Sequence, residues 1–507
     1  MTFKSILFGN HQIDLKSTPP AFWQDLQLDY LIDIIGGTVK GYDIRPYYYT
    51  MPDSPDIIAY RQEIYKDLED TKLYYSIKSF CHSVGKSTLS HKLSKESEGV
   101  IQAATFQLEA ADEYWQGLTQ LDDAFRTYTP ASQGLQLLHA HIAEHMQSLV
   151  ALHFPEAISR AKDFFSKISF QLTIDEDRIA IESSERASEN ILRDLAQLLP
   201  TDIDSDDVLM NEIYPGALEP SYLEATLINL LRKSDPEIFR ELEAFHKAFP
   251  SFYSTELLNF ADEIQFYISY IEFIVKTKSL GHDFAMPCIS TDGTFAGTGV
   301  YDMALVWRNA HHNYTVVDND FTWTKTPSFF VVTGPNQGGK TTFARSMGQA
   351  VYFSMMGLPA AASSITIPYF RGIGTHFEAE EVLQSNSGKL KDEINRLKPM
   401  MHQDNHSQFI ILNELFTTAT THDAMIMGKK VMEHFLAKQC YGIYVTHIQE
   451  LAEESDTIIS LVAEAENNEE HVRTDRIIPM AAQGYGFSES LVNQFSLNYE
   501  DIIRRLS

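Results

Sequence analysis

The segment Phe329-Phe330-Val331-Val332-Thr333, followed by Gly334-Pro335-Asn336-Gln337-Gly338-Gly339-Lys340-Thr341-Thr342, constrains this chain more than any other. Four consecutive apolar residues, two of them β-branched, predict a strand buried on both faces. Gly334 to Thr341 then fit G-x-x-x-x-G-K-[ST], with a strand before and a helix after. In such a loop the glycines let backbone amides turn inward around phosphate oxygens, and the helix start adds its positive end. Lys340 is placed to reach the β- and γ-phosphates, and the Thr341 hydroxyl to ligate Mg2+. Gly334, Pro335, Asn336, Gly338, Gly339, Lys340, Thr341 and Thr342 are therefore the candidate nucleotide-binding residues, with ATP and Mg2+ as expected cofactors.

Two further apolar runs repeat the pattern. Phe409-Ile410-Ile411-Leu412 ends in Asn413-Glu414, and Gly442-Ile443-Tyr444-Val445 ends in Thr446-His447. A phosphate-hydrolysing site needs one group to hold Mg2+ through its water shell and a carboxylate to polarise the attacking water. Asn413 and Glu414 stand in those positions. An amide oxygen at Asn413 still accepts from a metal-bound water, but it carries no charge, so weaker Mg2+ binding and slower turnover are expected. His447, at a strand end, is a candidate contact for the γ-phosphate or the water. Strand, polar loop and helix in repetition predict an α/β domain from residue 286 to the end.

The part before residue 286 reads as mainly helical. Leu223, Leu227, Leu230 and Leu231 have helical spacing. Asp235-Pro236-Glu237 carries a cap, a first-turn proline and a first-turn acid, and Ile238, Leu242, Phe245 and Phe249 follow on one face up to Pro250. After Ser254 one long helix is expected, with Leu257, Ile264, Ile268, Ile271 and Val275 as its buried stripe. Alternation over Ile168–Ile174 and Ile179–Ile181 around Asp175-Glu176-Asp177 predicts a β-hairpin near 168–181. A second GKST, Gly85-Lys86-Ser87-Thr88, has Phe80 where the first glycine should stand. It is rejected as a nucleotide site and expected in a solvated loop. The lysine-containing stretch Lys86–Lys95 is the best sequence candidate for a basic stripe on the helices, although a short solvated loop is favoured for it. His311 and His312 are read as surface residues.

The three cysteines, Cys81, Cys288 and Cys440, lack metal or disulfide spacing. There is no apolar run long enough for a membrane span, and the N-terminus does not read as a signal peptide, so a cytoplasmic protein is expected. The net charge of −29 opposes an encounter with nucleic acid unless a local basic patch exists.

The motifs together resemble the MutS family of DNA mismatch repair ATPases. TGPNQGGKTT (333–342) is similar to the family's TGPNMGGKST, and Asn336 is characteristic of it. Asn413–Asp423 lies without gaps on DEIGRGTSTYD, and Thr446–Leu451 resembles THYFEL, which implies that His447 is a switch histidine. Asn319 fits the asparagine before the first strand, where Val316 and Val317 occupy the neighbourhood of an adenine-stacking aromatic. Ser387–Glu393 matches the signature-loop region STFMVEM, which implies that Ser387 completes the ATP site of a partner subunit. Ala482–Gly486 is similar to the dimerisation tail. Pro52–Glu69, with Arg61-Gln62-Glu63, looks like the start of the core domain, and the hairpin stands where the DNA clamp is inserted.

The resemblance implies an ABC-type P-loop ATPase domain over 286–507 with a C-terminal helical dimerisation tail, and a helical core/lever region over 1–285. It leads us to expect a short relative without the mismatch-reading domain, its Phe-x-Glu wedge, or a Smr-type nuclease tail. Two functions remain open. One is an ATP-hydrolysing homodimer with composite sites, using Glu414 and His447 catalytically and Thr341 and Asn413 at the metal, and acting on mismatched or branched DNA. The other is a nucleotide-gated protein-interaction scaffold with weak hydrolysis and no direct DNA role.

Overall fold

The computed structural model describes residues 2–39, 41–166, 170–175, 178–183, 236–310, 316–323, 326–335, 338–377, 386–402, 406–465 and 473–482. The chain forms two compact units, one from Met1–Ile6 and Lys66–Asp262, the other from Leu7–Tyr65 and Glu263–Ser507. The change of composition near residue 286 coincides with the first strand of the second unit, β3 (Cys288–Ser290). The second unit also takes in residues 7–65, with α1 (Leu28–Gly36) and α2 (Arg45–Tyr49), and residues 263–285; among the described residues these segments carry no strand.

The first unit is helical. It contains the last two residues of α3 (Pro55–Asp67), then α4 (Thr71–Glu96), α5 (Val100–Thr127), α6 (Gln133–Ala151), α7 (Phe154–Ser166), α8 (Pro236–Ala248) and nearly all of α9 (Thr255–Glu263). Helix α8 begins at Pro236, and Leu242, Phe245 and Phe249 are buried on the expected face. A hairpin joins β1 (Phe170–Asp175) to β2 (Arg178–Ser183), antiparallel with Ile174 opposite Ile179. The segment 223–231, Asp235, His311 and His312 lie outside the described residues.

Two expectations fail here. Gly85-Lys86-Ser87-Thr88 and the stretch to Lys95 are not loop but the middle and end of α4. Their small residues form a close helix–helix seam. Ser87 Oγ donates to the Ala110 carbonyl at 2.5 Å, Ser94 Oγ to the Ala103 carbonyl at 2.6 Å, and a Cβ on Gly117 would come within 2.9 Å of Ser83. The helix after Ser254 is also not continuous. It breaks at Ile264 into α9 and α10 (Gln265–Ser279), and the break adjoins the boundary between the units. Helix α10 turns Phe266, Tyr267, Tyr270 and Phe273 inward, while Val275 is 61% exposed.

The second unit is α/β. Its six-stranded sheet runs β12-β11-β6-β10-β9-β8, with β6 (Phe329–Thr333), β10 (Tyr441–Val445), β9 (Phe409–Asn413) and β8 (Ile373–His376) mutually parallel. On the other side of β6, β11 (Ile458–Ala465) is parallel and β12 (Arg473–Pro479) is antiparallel to β11. Every residue of β6, β9 and β10 is buried, as their unbroken apolar runs require. Gly442 pairs with Phe329, whose ring fills the space beside it; a Cβ at 442 would lie 2.2 Å from a ring carbon. A second sheet, β3-β7-β4-β5, contains β7 (Ser364–Pro368), β4 (Phe295–Val300) and β5 (Asn319–Trp323).

Helix α12 (Lys340–Met355) follows the glycine-rich loop and is buried along nearly its whole length. Residues 7–65 and α10 help to bury it. Tyr352 donates to the Tyr48 carbonyl at 2.6 Å, Tyr48 to the Phe266 carbonyl at 3.1 Å, and Gln349 to the Leu26 carbonyl at 3.1 Å. Arg61, fully buried on α3, donates to the carbonyls of Leu7 and of Met356, just past the end of α12. Its guanidinium lies 4.9 Å from the Phe8 ring centre and 5.0 Å from that of Phe266. Truncating it orphans two buried carbonyls and opens a cavity. Arg61→Ala should therefore lower stability by roughly 3–5 kcal/mol, read as a fall in the urea midpoint. An unchanged midpoint would show that this contact does not hold α12.

Candidate functional site

The glycine-rich loop leaves β6 at Gly334, whose φ of 126° only glycine adopts readily, and a Cβ there would meet Ala463 at 2.9 Å. Gly339, at φ 79°, caps α12, so the helix starts at Lys340 with its first amides open toward the cavity. Asn336 and Gln337 lie outside the described residues. Lys340 is almost wholly buried and folds back on its own loop, donating to the carbonyls of Gly334 at 2.9 Å and Pro335 at 2.7 Å. Burial pushes its ammonium down from the ordinary lysine value, and the Glu414 carboxylate opposes that.

The ends of β9 and β10 complete the group. Thr341 Oγ1 donates to Asn413 Oδ1 at 3.0 Å. His447 Nε2 and Glu414 Oε1 are 3.1 Å apart, a donation from His447 in the tautomer with hydrogen on Nε2. That bond, helped by the charges of His447 and Lys340, holds the Glu414 carboxyl below the usual glutamate range, although burial works the other way. Glu414 is thus a carboxylate at neutral pH. Its φ is 52°, and its amide donates to the Val445 carbonyl at 2.8 Å, which ties the turn after β9 to the end of β10.

Gly339, Lys340, Thr341 and Glu414 border a cavity of about 750 Å³ lined also by Tyr301, Asp302, Leu305, Val316, Val317, Asn319, Thr342 and Asp475. Asn319 lines it, but both ends of its amide are engaged by β12. Nδ2 donates to the Asp475 carbonyl at 3.3 Å, and Oδ1 accepts from Ile477 N–H at 2.7 Å. Ser387 lies in the first turn of α13 (Asn386–His402), and the structure describes its backbone alone. Of Ala482–Gly486, only Ala482 is among the described residues.

Sequence reasoning missed Asp302 and Arg345. Asp302 caps α11 (Met303–Arg308), accepting from the amides of Ala304 and Leu305, and its other oxygen takes Arg345 Nε at 2.5 Å. An aspartate directly before an apolar run is a helix-start signal that could have found it. Nothing local in the sequence pairs it with Arg345.

The oxygen donors test the fit for Mg2+. A hard cation takes oxygen ligands, and a hydroxyl and an amide oxygen 3.0 Å apart are both neutral. Among the described residues no group of three or more His, Cys, Asp or Glu could hold a metal. The residues therefore fit Mg2+ that arrives with a polyphosphate, not an ion held by protein alone.

A parallel sheet with a phosphate loop at one strand end and an acid at the next defines a P-loop ATPase domain of the ABC type. Residues 330–495 match the family model of MutS domain V. Among curated proteins, the chain is similar to the DNA mismatch repair protein MutS of Pseudothermotoga lettingae, 23% identical over 46% of this chain and 31% of that one. It is also similar to DNA mismatch repair protein MutS of Shouchella clausii, 27% identical over 34% of this chain and 20% of that protein. A third relative is DNA mismatch repair protein MSH6 of Arabidopsis thaliana, 28% identical over 26% of this chain and 10% of that one. The matches span about a third or less of the relatives' own lengths. Among the described residues no helix is long and apolar enough to cross a membrane.

Restoring a charge beside Thr341 should strengthen the hold on the cation. Asn413→Asp is expected to lower the Mg2+ concentration that half-saturates nucleotide binding; a titration that does not move would refute the account of a charge-poor metal position.

Proposed function

We propose that the chain is an ATP-binding and ATP-hydrolysing protein that works as a dimer on nucleic acid. One observation carries the hydrolytic part: Lys340, Thr341 and Glu414 border one cavity, with Asn413 bonded to Thr341 and His447 to Glu414. The phosphates of ATP draw Lys340 off the Gly334 and Pro335 carbonyls, and Asn336 and the loop amides close around them. Mg2+ neutralises phosphate charge when bound, beside Thr341 and Asn413. Glu414 polarises the attacking water, and His447 orients Glu414 and senses the γ-phosphate. Leu305, Val316 and Val317 offer adenine an apolar wall in place of an aromatic ring, and Asn319 supports that wall by pinning β12. Ser387 reaches the nucleotide of the partner subunit. Binding and hydrolysis then shift a two-state dimer. Loss of the Lys340 side chain should abolish ATP binding, so Lys340→Ala is expected to give no heat of binding in calorimetry; wild-type affinity would sink the site.

The nucleic-acid part rests on the names of the relatives and on α4. This 26-residue helix carries five lysines and no acid from Thr71 to Lys95, in a chain of net charge −29. Lys78, Lys86 and Lys92 share its exposed side with His82, Tyr75 and Leu89, the last two 60% and 46% exposed. A cationic stripe along a long helix suits a phosphate backbone read by shape, and branched or mismatched duplex is the substrate class. The overall negative charge and the uncharged Asn413 favour the other reading, a nucleotide-gated scaffold for a protein partner. Fluorescence anisotropy with homoduplex, mismatched and four-way-junction DNA at fixed salt, with and without Mg-ATP, separates the two. Nucleotide-dependent binding is expected, and Ala at Lys78, Lys86 and Lys92 should flatten its log–log salt dependence by up to ~3. No binding to any of the three would leave the scaffold.

A further inference from the structure

The turn that presents Glu414 is held from outside its own strand. Glu414 and Phe416 both sit at positive φ, 52° and 63°, a conformation that side chains other than glycine's resist. Such a turn persists only where its surroundings fix it. Part of that fixing is local: the Glu414 amide bonds to Val445, and the Ala419 amide to the Phe416 carbonyl at 3.0 Å. The Phe416 amide has a different partner. It donates at 2.7 Å to Oε1 of Glu393, a half-buried carboxylate on α13. Leu390, Ile394 and Leu397 of the same helix pack on the cluster that contains Leu412, Leu415 and Phe416. The helix therefore has little freedom to slide, and the carboxylate meets the amide in one place. A charged acceptor makes a stronger bond to an amide than a neutral one does.

We propose that Glu393 is a positioning residue for ATP hydrolysis: by accepting from the Phe416 amide it holds the Glu414–Phe416 turn in its left-handed form and so keeps the Glu414 carboxylate aimed at the cavity. The inference rests on the hydrolytic reading given above. Glu393 touches neither nucleotide nor water in this account, so its loss should spare binding and slow turnover.

The test compares Glu393→Ala and Glu393→Gln in the full chain. It uses ATP affinity by calorimetry, steady-state turnover, and hydrogen exchange of a peptide covering 414–418. Glu393→Ala is expected to keep ATP affinity within about twofold, lower kcat by about tenfold or more, and speed exchange at the Phe416 amide. Glu393→Gln keeps an oxygen that accepts the same bond and should recover most of the rate and protection, which an unfolded variant would not do. Wild-type kcat in Glu393→Ala, or equal loss in both variants, would overturn the proposal. If the wild-type chain binds ATP without turnover, the hydrolytic reading fails instead, and exchange alone decides. Faster exchange in Glu393→Ala would then support the hold on the turn, and unchanged exchange would overturn it.

Discussion

The register of three parallel strands is the constraint from which the site follows. Val445 of β10 stands opposite Val332 of β6 on one side and Asn413 of β9 on the other. The chain thus leaves all three strands at one level, with Gly334, Glu414 and His447 each one or two residues beyond the pairing. A slip of one residue would turn each strand's side chains to the opposite face and separate the groups. Burial forbids the slip, because all three strands are apolar on both faces and Gly442 leaves room only for Phe329 beside it. The chemistry is polar, yet apolar packing behind it sets its geometry.

The same dependence extends to α12. Its first turn faces the cavity and its last is gripped by residues from distant parts of the chain. Tyr48, Leu26 and Arg61 all engage α12 or the residue just past its end. A phosphate-binding helix held at both ends is a rigid platform, which suits a site where small displacements matter. Arg61 is an unusual clamp, since it is fully buried and its bonds run to neutral carbonyls and aromatic faces. Burial accordingly lowers its affinity for a proton.

The sequence was most legible where one physical requirement dominates a short segment. Strands buried on both faces leave apolar runs, and a phosphate loop leaves glycines at fixed spacing, so β6, β9, β10 and the loop could be read directly. It was least legible where long-range packing decides. Gly85-Lys86-Ser87-Thr88 has the composition of a loop, but α5 offers Ala110 and Gly117 at matching heights, and Ser87 can satisfy its hydroxyl across that seam. Of the stripe expected after Ser254, Leu257, Ile264 and Ile268 are buried and Ile271 is half-buried, while Val275 at its end is exposed. What the sequence does not show is the break at Ile264, where no residue is a helix breaker. Asn319, which lines the cavity, also bonds through both ends of its amide to β12, a partner more than 150 residues away that no local pattern announces.

The turn after β9 shows why a site can be present in the motif and still incomplete on paper. Asn413 and Glu414 are read from the strand that precedes them. Their orientation depends on Val445, which the sheet supplies, and on Glu393, which lies on the helix that begins with Ser387. Glu414 is also drawn in two directions, toward ionisation by His447 and Lys340 and away from it by burial. While the three groups stay together, the Glu414 carboxyl is held below the ordinary glutamate range. An aspartate at 413 would add a second negative charge beside Glu414, and without a cation each would raise the other's proton affinity. Asparagine avoids that conflict before nucleotide binds and leaves the attraction for Mg2+ to the nucleotide's phosphates.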